Sequence, residues 1–506
     1  MSKIRSKNKA GSIGLEKTNT GIKGLDEILG GGIPKGRITL VCGGPGCGKT
    51  LLATEFLVRG ALEYAEPGVM MAFEETAEEL SENVASLGID LQDMIDRKKI
   101  FVDYVYIERS EIEESGIFDL EGLFVRLADA IETVGAKRVV LDTVETLFSG
   151  FTNEAVLRAE LRRLFRWLKE QGVTTIVTGE RGSGSLTRYG LEEYISDCVI
   201  LLDQRLRDQI ATRRLRVVKY RGSEHGNDEY PFLIDHQGIW VMPITSSGLT
   251  NVASSERIST GIPRLDMMLD EKGYFRGSSI LVSGTAGTGK TSLAAHLLDA
   301  ACRRGEDCLF IAFEESESQI IRNMRSIGID LEQWSKKGRL YFLVARPSMN
   351  GIEMHLLLMQ KMITEINPLV VAIDPITNLS SIGTPLEVKS MLVRVIDFLK
   401  VKNITTLFTS LTAGGEIEVN TEAGISSLMD TWILLRNTEV NGEYNRCLYV
   451  LKSRGMSHSS QVREFLLTGQ GIELLDVCRG PNSVLLGSAR LLQEASQKAE
   501  ATQRQS

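Results

Sequence analysis

The sequence lacks a long apolar run: no segment approaches the roughly 20 uninterrupted apolar residues that a membrane-spanning helix needs. The basic N-terminal stretch MSKIRSKNKAGS has no apolar core of the kind that a signal peptide carries. The seven cysteines are scattered and match no metal-type Cys/His spacing, which favours reduced thiols over a disulfide framework. These absences predict a cytoplasmic protein with no membrane partner.

Acidic residues outnumber basic ones: the chain has 66 aspartates and glutamates and 58 lysines and arginines, so its net charge is −8. A dedicated duplex-DNA-binding protein usually carries a basic field, so nucleic acid is an unlikely partner. The composition is otherwise that of a globular protein, with 42% hydrophobic and 25% charged residues. The 48 glycines predict many tight turns or phosphate-binding loops.

The chain contains a long internal repeat in which related segments follow one another in the same order in both halves. The pairs are TGIKGL (20–25) with TGIPRL (260–265), GGPGCGKT (43–50) with GTAGTGKT (284–291), AFEE (72–75) with AFEE (312–315), and VVKYRG (217–222) with YVLKSRG (449–455). The repeat predicts two homologous domains joined by a Ser/Thr-rich linker. The expected divisions are an N-terminal tail at 1–13, a first domain at 14–245, a linker at 246–256, a second domain at 257–482 and a C-terminal tail at 483–506.

Apolar strand-like runs alternate with helical patterns in each half. ITLVCG and RVVLD read as buried strands, while EAVLRAELRRLFRWLKEQG repeats its apolar residues at helical spacing. This alternation predicts the α/β class, with a mostly parallel twisted sheet flanked by helices in each half. The last strand-like runs of each half are expected to extend the sheet in antiparallel fashion.

Both Gly-rich loops match G-x-x-x-x-G-K-[ST] without a mismatch, each after a strand and before a helix. Glycines let such a loop point backbone N–H groups at phosphates, and the following helix adds its positive end. Lys49 and Lys290 are expected to reach the β- and γ-phosphates of a bound ATP. The predicted nucleotide contacts are Gly46, Cys47, Gly48, Lys49, Thr50 and Leu51 in the first half and Gly287, Thr288, Gly289, Lys290, Thr291 and Ser292 in the second.

An aspartate ends one apolar strand in each half, Asp142 in the first and Asp374 in the second. That position supplies the second protein oxygen of the magnesium site in P-loop enzymes, beside the loop hydroxyl. The predicted Mg²⁺ ligands are therefore Thr50 with Asp142 and Thr291 with Asp374.

Two adjacent glutamates follow a strand in each half: Glu74 and Glu75, then Glu314 and Glu315. Side chains alternate along a strand, so at least one glutamate of each pair can face the ligand crevice at the strand's carboxyl end. A carboxylate there can orient water or take a proton from a hydroxyl nucleophile. We predict that one member of each pair is catalytic, and the sequence leaves open which one.

A K-x-R pattern marks a late strand of each half, and its period of two puts both cations on one face. Such cations could stabilise transition-state charge on a neighbouring subunit's nucleotide, which predicts an oligomer. The expected contacts across the interface are Lys219, Tyr220, Arg221, Ser223, His225, Lys452, Ser453, Arg454, Met456 and His458.

Together these motifs resemble the RecA-like P-loop ATPases and, more closely, the KaiC family of double-domain ATPases and autokinases found in bacterial clocks. The resemblance spans residues 18 to 477. It implies two RecA-like domains, ATP and Mg²⁺ as cofactors, and a homohexamer of two stacked rings. It also implies hydrolysis of ATP in the first domain and phosphorylation of the next subunit by the second. A KaiB-like protein or a two-component signalling protein is the implied regulatory partner.

The segment TEAGISSLMDTWILL (421–435) carries the phosphoacceptor pair that the resemblance implies, Ser426 and Ser427, with Thr421 as a further candidate. The first half has Glu193 and Tyr194 at the corresponding positions, as expected if that domain accepts no phosphate. The family normally has threonine at the position of Ser427, which indicates a divergent member. Two alternatives stay open at this point: a nucleic-acid-dependent ATPase of the same superfamily, and a nucleotide-gated scaffold with little turnover.

Overall fold

The computed structural model describes residues 14–105, 120–148, 154–182, 186–187, 195–207, 210–243, 253–412, 426–440, 442–476, 478–479, 484–488 and 490. The chain divides into two compact units, Met1–Thr245 and Ser246–Ser506. Three residues named above, Thr421, Glu193 and Tyr194, lie outside the described residues.

The first unit alternates strands and helices along the chain. Its described strands are β1 (Lys17–Thr18), β2 (Ile33–Pro34), β3 (Ile38–Gly43), β4 (Gly68–Ala72), β5 (Ile100–Tyr104), β6 (Arg138–Asp142), β7 (Thr174–Glu180), β8 (Cys198–Arg207), β9 (Ile210–Tyr220), β10 (Glu229–Asp235) and β11 (Gly238–Val241). Its described helices are α1 (Leu25–Ile28), α2 (Lys49–Glu63), α3 (Ala77–Ala85), α4 (Leu91–Asp96), α5 (Glu121–Val134), α6 (Val144–Phe148) and α7 (Glu154–Glu170).

The second unit repeats this order. Its described strands are β12 (Arg257–Ile258), β13 (Tyr274–Phe275), β14 (Ser279–Gly284), β15 (Cys308–Ala312), β16 (Leu340–Val344), β17 (Val370–Asp374), β18 (Thr405–Leu411), β19 (Thr431–Val440), β20 (Glu443–Ser453), β21 (Arg463–Thr468), β22 (Gly471–Leu474), β23 (Cys478–Arg479) and β24 (Val484–Leu485). Its helices are α8 (Pro263–Met268), α9 (Lys290–Arg303), α10 (Glu317–Arg325), α11 (Glu332–Lys336), α12 (Ile352–Ile366) and α13 (Pro385–Val401), with short 3₁₀ turns at Pro347–Met349 and Ile376–Ser381.

Each unit is built on a nine-stranded sheet, and the two sheets have the same strand order. In the first unit the order is β11-β10-β9-β8-β3-β7-β6-β4-β5, and in the second it is β22-β21-β20-β19-β14-β18-β17-β15-β16. The neighbouring strands β8, β3, β7, β6, β4 and β5 run parallel to one another, whereas β9, β10 and β11 extend the sheet in antiparallel fashion. The α/β prediction and its antiparallel extension are therefore confirmed.

The central strands are buried on both faces because helices cover both sides of the sheet. Along β3, Val41 belongs to the cluster that includes Phe56 of α2, while its neighbour Leu40 belongs to the cluster that includes Leu127 of α5. Parallel strands covered on both sides read as continuous apolar runs, as ITLVCG does. The same two-sided packing fixes the carboxyl ends of these strands, where the candidate sites lie.

The helices that follow the two Gly-rich loops differ in one buried side chain at equivalent positions. In each unit this side chain accepts a hydrogen bond from a backbone N–H. Glu55 of α2 accepts a hydrogen bond at Oε2 from the Ile239 N–H (2.8 Å), and His296 of α9 accepts one at Nε2 from the Ile472 N–H (2.9 Å). Burial raises the pKa of Glu55, whereas burial lowers the pKa of His296 to about 4. The neutral form of each side chain is favoured, so these two residues should make opposite contributions to the acid response of their units.

We expect His296 to make the second unit less stable as the pH falls from 6.5 to 4, because the unfolded chain then binds a proton at this residue that the folded chain does not. The loss should approach ~3 kcal/mol for this residue. Glu55 acts in the opposite sense and should stabilise the first unit as the pH falls through its raised pKa. Urea unfolding followed by pulsed hydrogen exchange, read on peptides of each unit, measures both slopes.

The matched variants are His296→Gln and Glu55→Gln, in which an amide oxygen can still accept the backbone N–H. Each should flatten the pH dependence of its own unit and leave that of the other unit unchanged. An unaltered slope in the second unit of His296→Gln would contradict the assignment.

Candidate active sites

Each Gly-rich loop leads directly into a long helix and keeps its inner side open. Gly48 and Gly289 have φ values of 100° and 98°, a left-handed conformation that favours glycine, and α2 and α9 begin at the next residue. A Cβ added to Gly44, Gly46 or Gly287 would meet nothing within 4 Å. There is therefore open space beside each loop, next to the positive end of the helix, and this arrangement suits phosphate groups.

The loop lysines lie inside these turns. The Lys290 Nζ donates to the carbonyl oxygens of Gly284 (2.9 Å) and Thr285 (2.7 Å). Lys49 makes the same two contacts in the first loop, both at 3.1 Å. Both side chains are at least nine-tenths buried, so each ammonium group is held at the centre of the loop.

The remaining predicted loop residues have buried side chains. Cys47, Leu51 and Ser292 are buried, and the Thr288 hydroxyl donates to the carbonyl of Thr285 (2.8 Å). Burial raises the pKa of the Cys47 thiol, so the thiolate is disfavoured. These side chains shape the loop, and their contribution to a nucleotide would come from their backbone N–H groups.

The predicted metal ligands lie together. In the second unit the Thr291 hydroxyl donates to Asp374 Oδ2 (2.7 Å), and the other carboxylate oxygen accepts from the Thr409 hydroxyl. Burial raises the pKa of Asp374, and both hydroxyls act against that shift. Hydroxyl and carboxylate oxygens are the hard ligands that Mg²⁺ prefers, so this donor set fits that ion.

The first unit repeats the arrangement with Asp142, whose pKa burial raises and the hydroxyls of Thr178 and Thr50 lower. Thr178 donates to Asp142 Oδ1. The sequence reasoning missed Thr178 and its counterpart Thr409. Within the described part of the chain, no group of three or more His, Cys, Asp or Glu side chains could hold a metal. A cation at either aspartate would take its remaining ligands from phosphate and water.

The first glutamate of each pair points toward the segment that follows the aspartate strand. Glu74 Oε1 accepts from the hydroxyls of Thr143 (2.8 Å) and Thr146 (3.0 Å). Glu314 Oε1 accepts from the Asn378 amide (3.0 Å). Glu314 also favours the charged form of Lys290, whose pKa burial lowers. Glu314 therefore acts electrostatically on both the loop lysine and the aspartate of its unit.

The second glutamate of each pair is tied to the helix that follows it. Glu315 Oε2 accepts from the Asn323 amide of α10 (3.1 Å), and Glu75 Oε1 accepts from the Asn83 amide of α3 (3.4 Å). The contact with the asparagine holds the carboxylate of the second glutamate against the helix that follows it. The two glutamates of each pair therefore have different hydrogen-bond partners.

The cations of the second K-x-R pattern contact the backbone of the serine pair in the same chain. The Lys452 Nζ donates to the Ser426 carbonyl (3.0 Å), and the Arg454 guanidinium donates to the Ser427 carbonyl (2.7 Å). Ser426 is 8% exposed, whereas Ser427 is exposed. The two serines and the two cations thus form one surface, which we call the serine–cation edge.

Asp430 anchors this edge to the sheet. Its Oδ2 accepts from the Ser279 N–H (2.9 Å) and pairs with the Lys400 Nζ (2.9 Å), while its carbonyl accepts from the Arg454 N–H (2.8 Å). Asp197 has the corresponding position in the first unit, where the Lys169 Nζ lies 2.6 Å from its Oδ2. The segment before β19 is therefore fixed at the start of the loop strand β14.

The serine–cation edge and the Gly-rich loop lie at opposite ends of the parallel strands. Ile280, near the start of β14, pairs with Thr431 at the start of β19, and Thr431 in turn pairs with Ser453. The loop follows the other end of β14, beyond Gly284. A rise of about 3.3 Å per residue puts about 17 Å between the two ends of this strand.

Several other residues predicted to contact a neighbour's nucleotide point their side chains into their own unit. The Tyr220 hydroxyl donates to the Gly32 carbonyl (2.8 Å) in the core, and Met456 Sδ accepts from Arg257. Ser453 and Ser223 hydrogen-bond to Thr431 (3.0 Å) and Lys17 (2.8 Å), respectively. His225 and His458 contact the carbonyls of Gly226 and Ser459. Lys219 lies near the end of β9, and Arg221 directly follows this strand. β9 is the counterpart of β20 in the second unit.

No helix in the described ranges is both long enough and apolar enough to cross a bilayer.

Comparisons with known proteins give a family match in each of the two repeated halves of the chain. The family model described as "ATPase: KaiC" matches residues 18–246 and again residues 258–477. The chain is 54% identical over 496 residues to "Circadian clock protein KaiC2" of Synechocystis sp., an alignment that covers 98% of this chain and 87% of that protein. It is 40% identical to "Circadian clock oscillator protein KaiC" of Parathermosynechococcus lividus, covering 94% and 88% of the two chains. "Circadian clock protein KaiC3" of Synechocystis sp. is 38% identical, covering 94% and 95%.

Proposed function

Because the chain belongs to the KaiC family of ATPases and autophosphorylating kinases, we propose that its two units divide these activities between them. The first domain (14–245) hydrolyses ATP, and the second domain (257–482) transfers the γ-phosphoryl group of ATP to Ser426 and Ser427 of a neighbouring subunit. The active form is a homohexamer of two stacked rings. The nucleic-acid motor and the inert scaffold are not favoured, because the family match and the curated relatives are ATPases of the KaiC type.

The observation that carries the proposal is the position of the serine–cation edge. Within one subunit the serines lie at the amino ends of the strands, about 17 Å along β14 from the loop that would bind ATP. A hydroxyl nucleophile must come within about 3–3.5 Å of phosphorus. A second subunit is thus the natural source of the nucleotide. Since Lys452 and Arg454 contact the serine carbonyls, cations and nucleophiles would approach that nucleotide together.

Proton transfer in the second unit is assigned to Glu314. Its carboxylate accepts the proton from the neighbour's serine hydroxyl while an Oγ–P bond forms, and the bond from phosphorus to the β–γ bridging oxygen breaks to release ADP. Lys290 and the loop N–H groups hold the phosphates, and the neighbour's Lys452 and Arg454 stabilise the charge on the transferring group. Thr291 and Asp374 would hold Mg²⁺, which screens phosphate charge when bound.

In the first unit the corresponding nucleophile is water, which Glu74 positions. Lys49 and its loop hold the phosphates, and Thr50 with Asp142 would hold the Mg²⁺ ion of this site. Lys219 and Arg221 of a neighbour supply the remaining positive charge, as their counterparts do in the second unit.

Phosphorylation would act as a signalling or timing switch. Each phosphoserine adds about −1.5 to −2 charges to the serine–cation edge, which would alter how adjacent subunits pack. A KaiB-like protein or a two-component signalling protein could read that change. Relatives that are named circadian clock proteins support a timing role for this chain.

Incubation with γ-labelled ATP followed by phosphopeptide mapping tests the proposal. We expect phosphate on Ser426 and Ser427, loss of one site in each single Ser→Ala variant, and loss of more than nine-tenths of the label in the double variant. Ser390→Ala, which removes an exposed hydroxyl of the same unit, is the matched control. The same phosphopeptide map shows whether Thr421 also carries phosphate.

Label that persists in the double variant would overturn the assignment of the acceptors. ATP hydrolysis that rises only when single-stranded DNA is added would favour the nucleic-acid-dependent alternative, and binding of ATP with negligible phosphate release would favour the scaffold.

A further inference from the structure

The charged side chains at and beside the serine–cation edge do not balance. Asp430 pairs with the Lys400 Nζ at 2.9 Å and lies 3.9 Å from the Arg454 guanidinium. Burial lowers the pKa of Lys452, Arg454 and Lys400 lower it further, and Asp430 acts against them. Three cations thus lie near one carboxylate, which leaves an excess of two positive charges among these four side chains.

Two of these cations are directed at the backbone of the serine pair. The Arg454 guanidinium donates to the Ser427 carbonyl oxygen at 2.7 Å, and the Lys452 Nζ donates to the Ser426 carbonyl oxygen at 3.0 Å. A carbonyl oxygen is a neutral acceptor, whereas hydrogen bonds from a cation to an anionic oxygen are shorter and stronger. An anion placed beside these carbonyls would therefore compete well for the same donors.

A phosphate group on Ser427 would lie beside these donors. Only the Cβ, Cα and carbonyl carbon atoms separate the hydroxyl oxygen of a serine from its own carbonyl oxygen, which here contacts the guanidinium. Ser427 is exposed, so a phosphate there stays in contact with water and is not forced into the core. A guanidinium has several N–H donors in a fixed fork, which suits the paired oxygens of a phosphate.

We propose that Lys452 and Arg454, supported by the charge of Lys400, form a binding site for the phosphate group of phosphorylated Ser427 in the same chain. This inference rests on the proposed autophosphorylation and deepens it, because that reaction supplies the phosphate. A phosphoserine carries about −1.5 to −2 charges, which matches the positive excess at this edge.

This binding site would make phosphorylation limit itself. Before transfer, Lys452 and Arg454 stabilise charge on the neighbour's nucleotide. After transfer they are held by the phosphoserine of their own chain, and the neighbour's next ATP must compete for them. A subunit phosphorylated at Ser427 would therefore accept a second phosphate, at Ser426, more slowly than an unphosphorylated one.

Titration of the phosphate in a lone chain tests the binding site. Phosphoserine is encoded at position 427 during synthesis of the full-length Ser426→Ala chain, which is kept free of nucleotide under conditions in which it sediments as a single chain. We expect phosphorus NMR to show that the second pKa of the phosphate falls from about 6 to about 5, because nearby cations favour the dianion. Lys452→Gln with Arg454→Gln should return this pKa to about 6.

Lys389→Gln, at an exposed lysine of the same unit, is the matched control and should leave the phosphate pKa low. The backbone N–H of residue 454 donates to the Asp430 carbonyl at 2.8 Å, so its protection from hydrogen exchange should be the same with and without the two cations. A phosphate pKa near 6 with both cations present, or an equally low pKa after both are removed, would overturn the inference.

A second measurement tests the self-limiting effect in assembled protein. Single-turnover transfer of labelled phosphate to Ser426 should be about tenfold slower with phosphoserine at position 427 than in the Ser427→Ala protein. Equal rates would refute this effect. Simple repulsion between the phosphate and the neighbour's ATP predicts no lowered phosphate pKa in a lone chain, so the titration separates it from capture of the cations.

The two proposals fail in distinguishable ways, because an encoded phosphoserine does not depend on the kinase. If ATP places no phosphate on Ser426 or Ser427, the proposed autophosphorylation is wrong, yet the titration still decides whether the cations bind a phosphate there. If ATP does phosphorylate Ser427 and the phosphate titrates near pH 6, the binding site is wrong and the kinase assignment stands.

Discussion

Replacement of Glu314 by glutamine is expected to slow autophosphorylation of Ser426 and Ser427 about 10³-fold, the range in which a general base contributes to catalysis. Glutamine keeps the size of the side chain and can still accept from Asn378, but it cannot take the serine proton. ATP binding should persist, because Lys290 and the loop remain in place. Single-turnover transfer from labelled ATP, with a separate measurement of nucleotide affinity, separates the two effects.

Glu315→Gln is the matched control, since it makes the same chemical change one residue away. Glu315 is bound to Asn323 of α10 rather than directed at the segment after Asp374, so its replacement should slow transfer far less. If Glu315→Gln proves the more damaging change, the roles of the two glutamates are reversed. The corresponding pair in the first unit, Glu74→Gln and Glu75→Gln, should show the same ranking for hydrolysis.

Removal of Lys452 and Arg454 together is expected to reduce phosphoryl transfer by at least about 10³-fold, comparable with loss of an arginine supplied by a neighbouring molecule. The missing charge should impair the neighbour's nucleotide site, because the serine–cation edge is far from the loop of its own subunit. An assembly made only of Lys452→Ala/Arg454→Ala subunits should therefore be nearly inactive. An assembly made only of Lys290→Ala subunits should also be nearly inactive.

Mixing these two inactive proteins should restore activity. A Lys452→Ala/Arg454→Ala subunit keeps its loop lysine, and an adjacent Lys290→Ala subunit supplies both intact cations and intact serines. Phosphate should therefore appear on the Lys290→Ala chain, which mass spectrometry of the intact chains distinguishes by its different mass. This outcome does not depend on how the serine segment sits in the cation-deficient chain, where Lys452 and Arg454 normally bind its carbonyls.

Lys389→Ala, at an exposed lysine of the same unit, is the control for a nonspecific loss of charge. Full activity of the unmixed Lys452→Ala/Arg454→Ala protein would refute a role for these cations. Failure of the mixture to recover, with assembly intact, would refute transfer between subunits.

The features that the sequence predicted best are those fixed by local patterns. The repeat, the two Gly-rich loops and the alternation of strands with helices led to the α/β fold and its antiparallel extension. The aspartates were predictable because a strand end is visible in RVVLD and LVVAID. Their partners Thr178 and Thr409 were not, because those contacts depend on the register between adjacent strands. The repeated patterns TTIVTG and TTLFTS were the available signal.

The hydrogen-bond partner of each glutamate could not be predicted from the sequence, because the partners lie 8 and 64 residues away, as Asn323 and Asn378 do for the second pair. Alternation along a strand should have indicated that Tyr220, between Lys219 and Arg221, faces the other way. The structure places that side chain in the core, where its hydroxyl donates to Gly32.

The distance between the serine–cation edge and the loop of the same subunit makes the kinase sensitive to how much protein is present. In a lone chain the proposed phosphate donor and acceptor lie at opposite ends of β14, too far apart for transfer. Below the concentration at which chains associate, phosphorylation should stop even when ATP is plentiful. The ring would therefore report its own abundance to the cell, with the threshold set by subunit affinity.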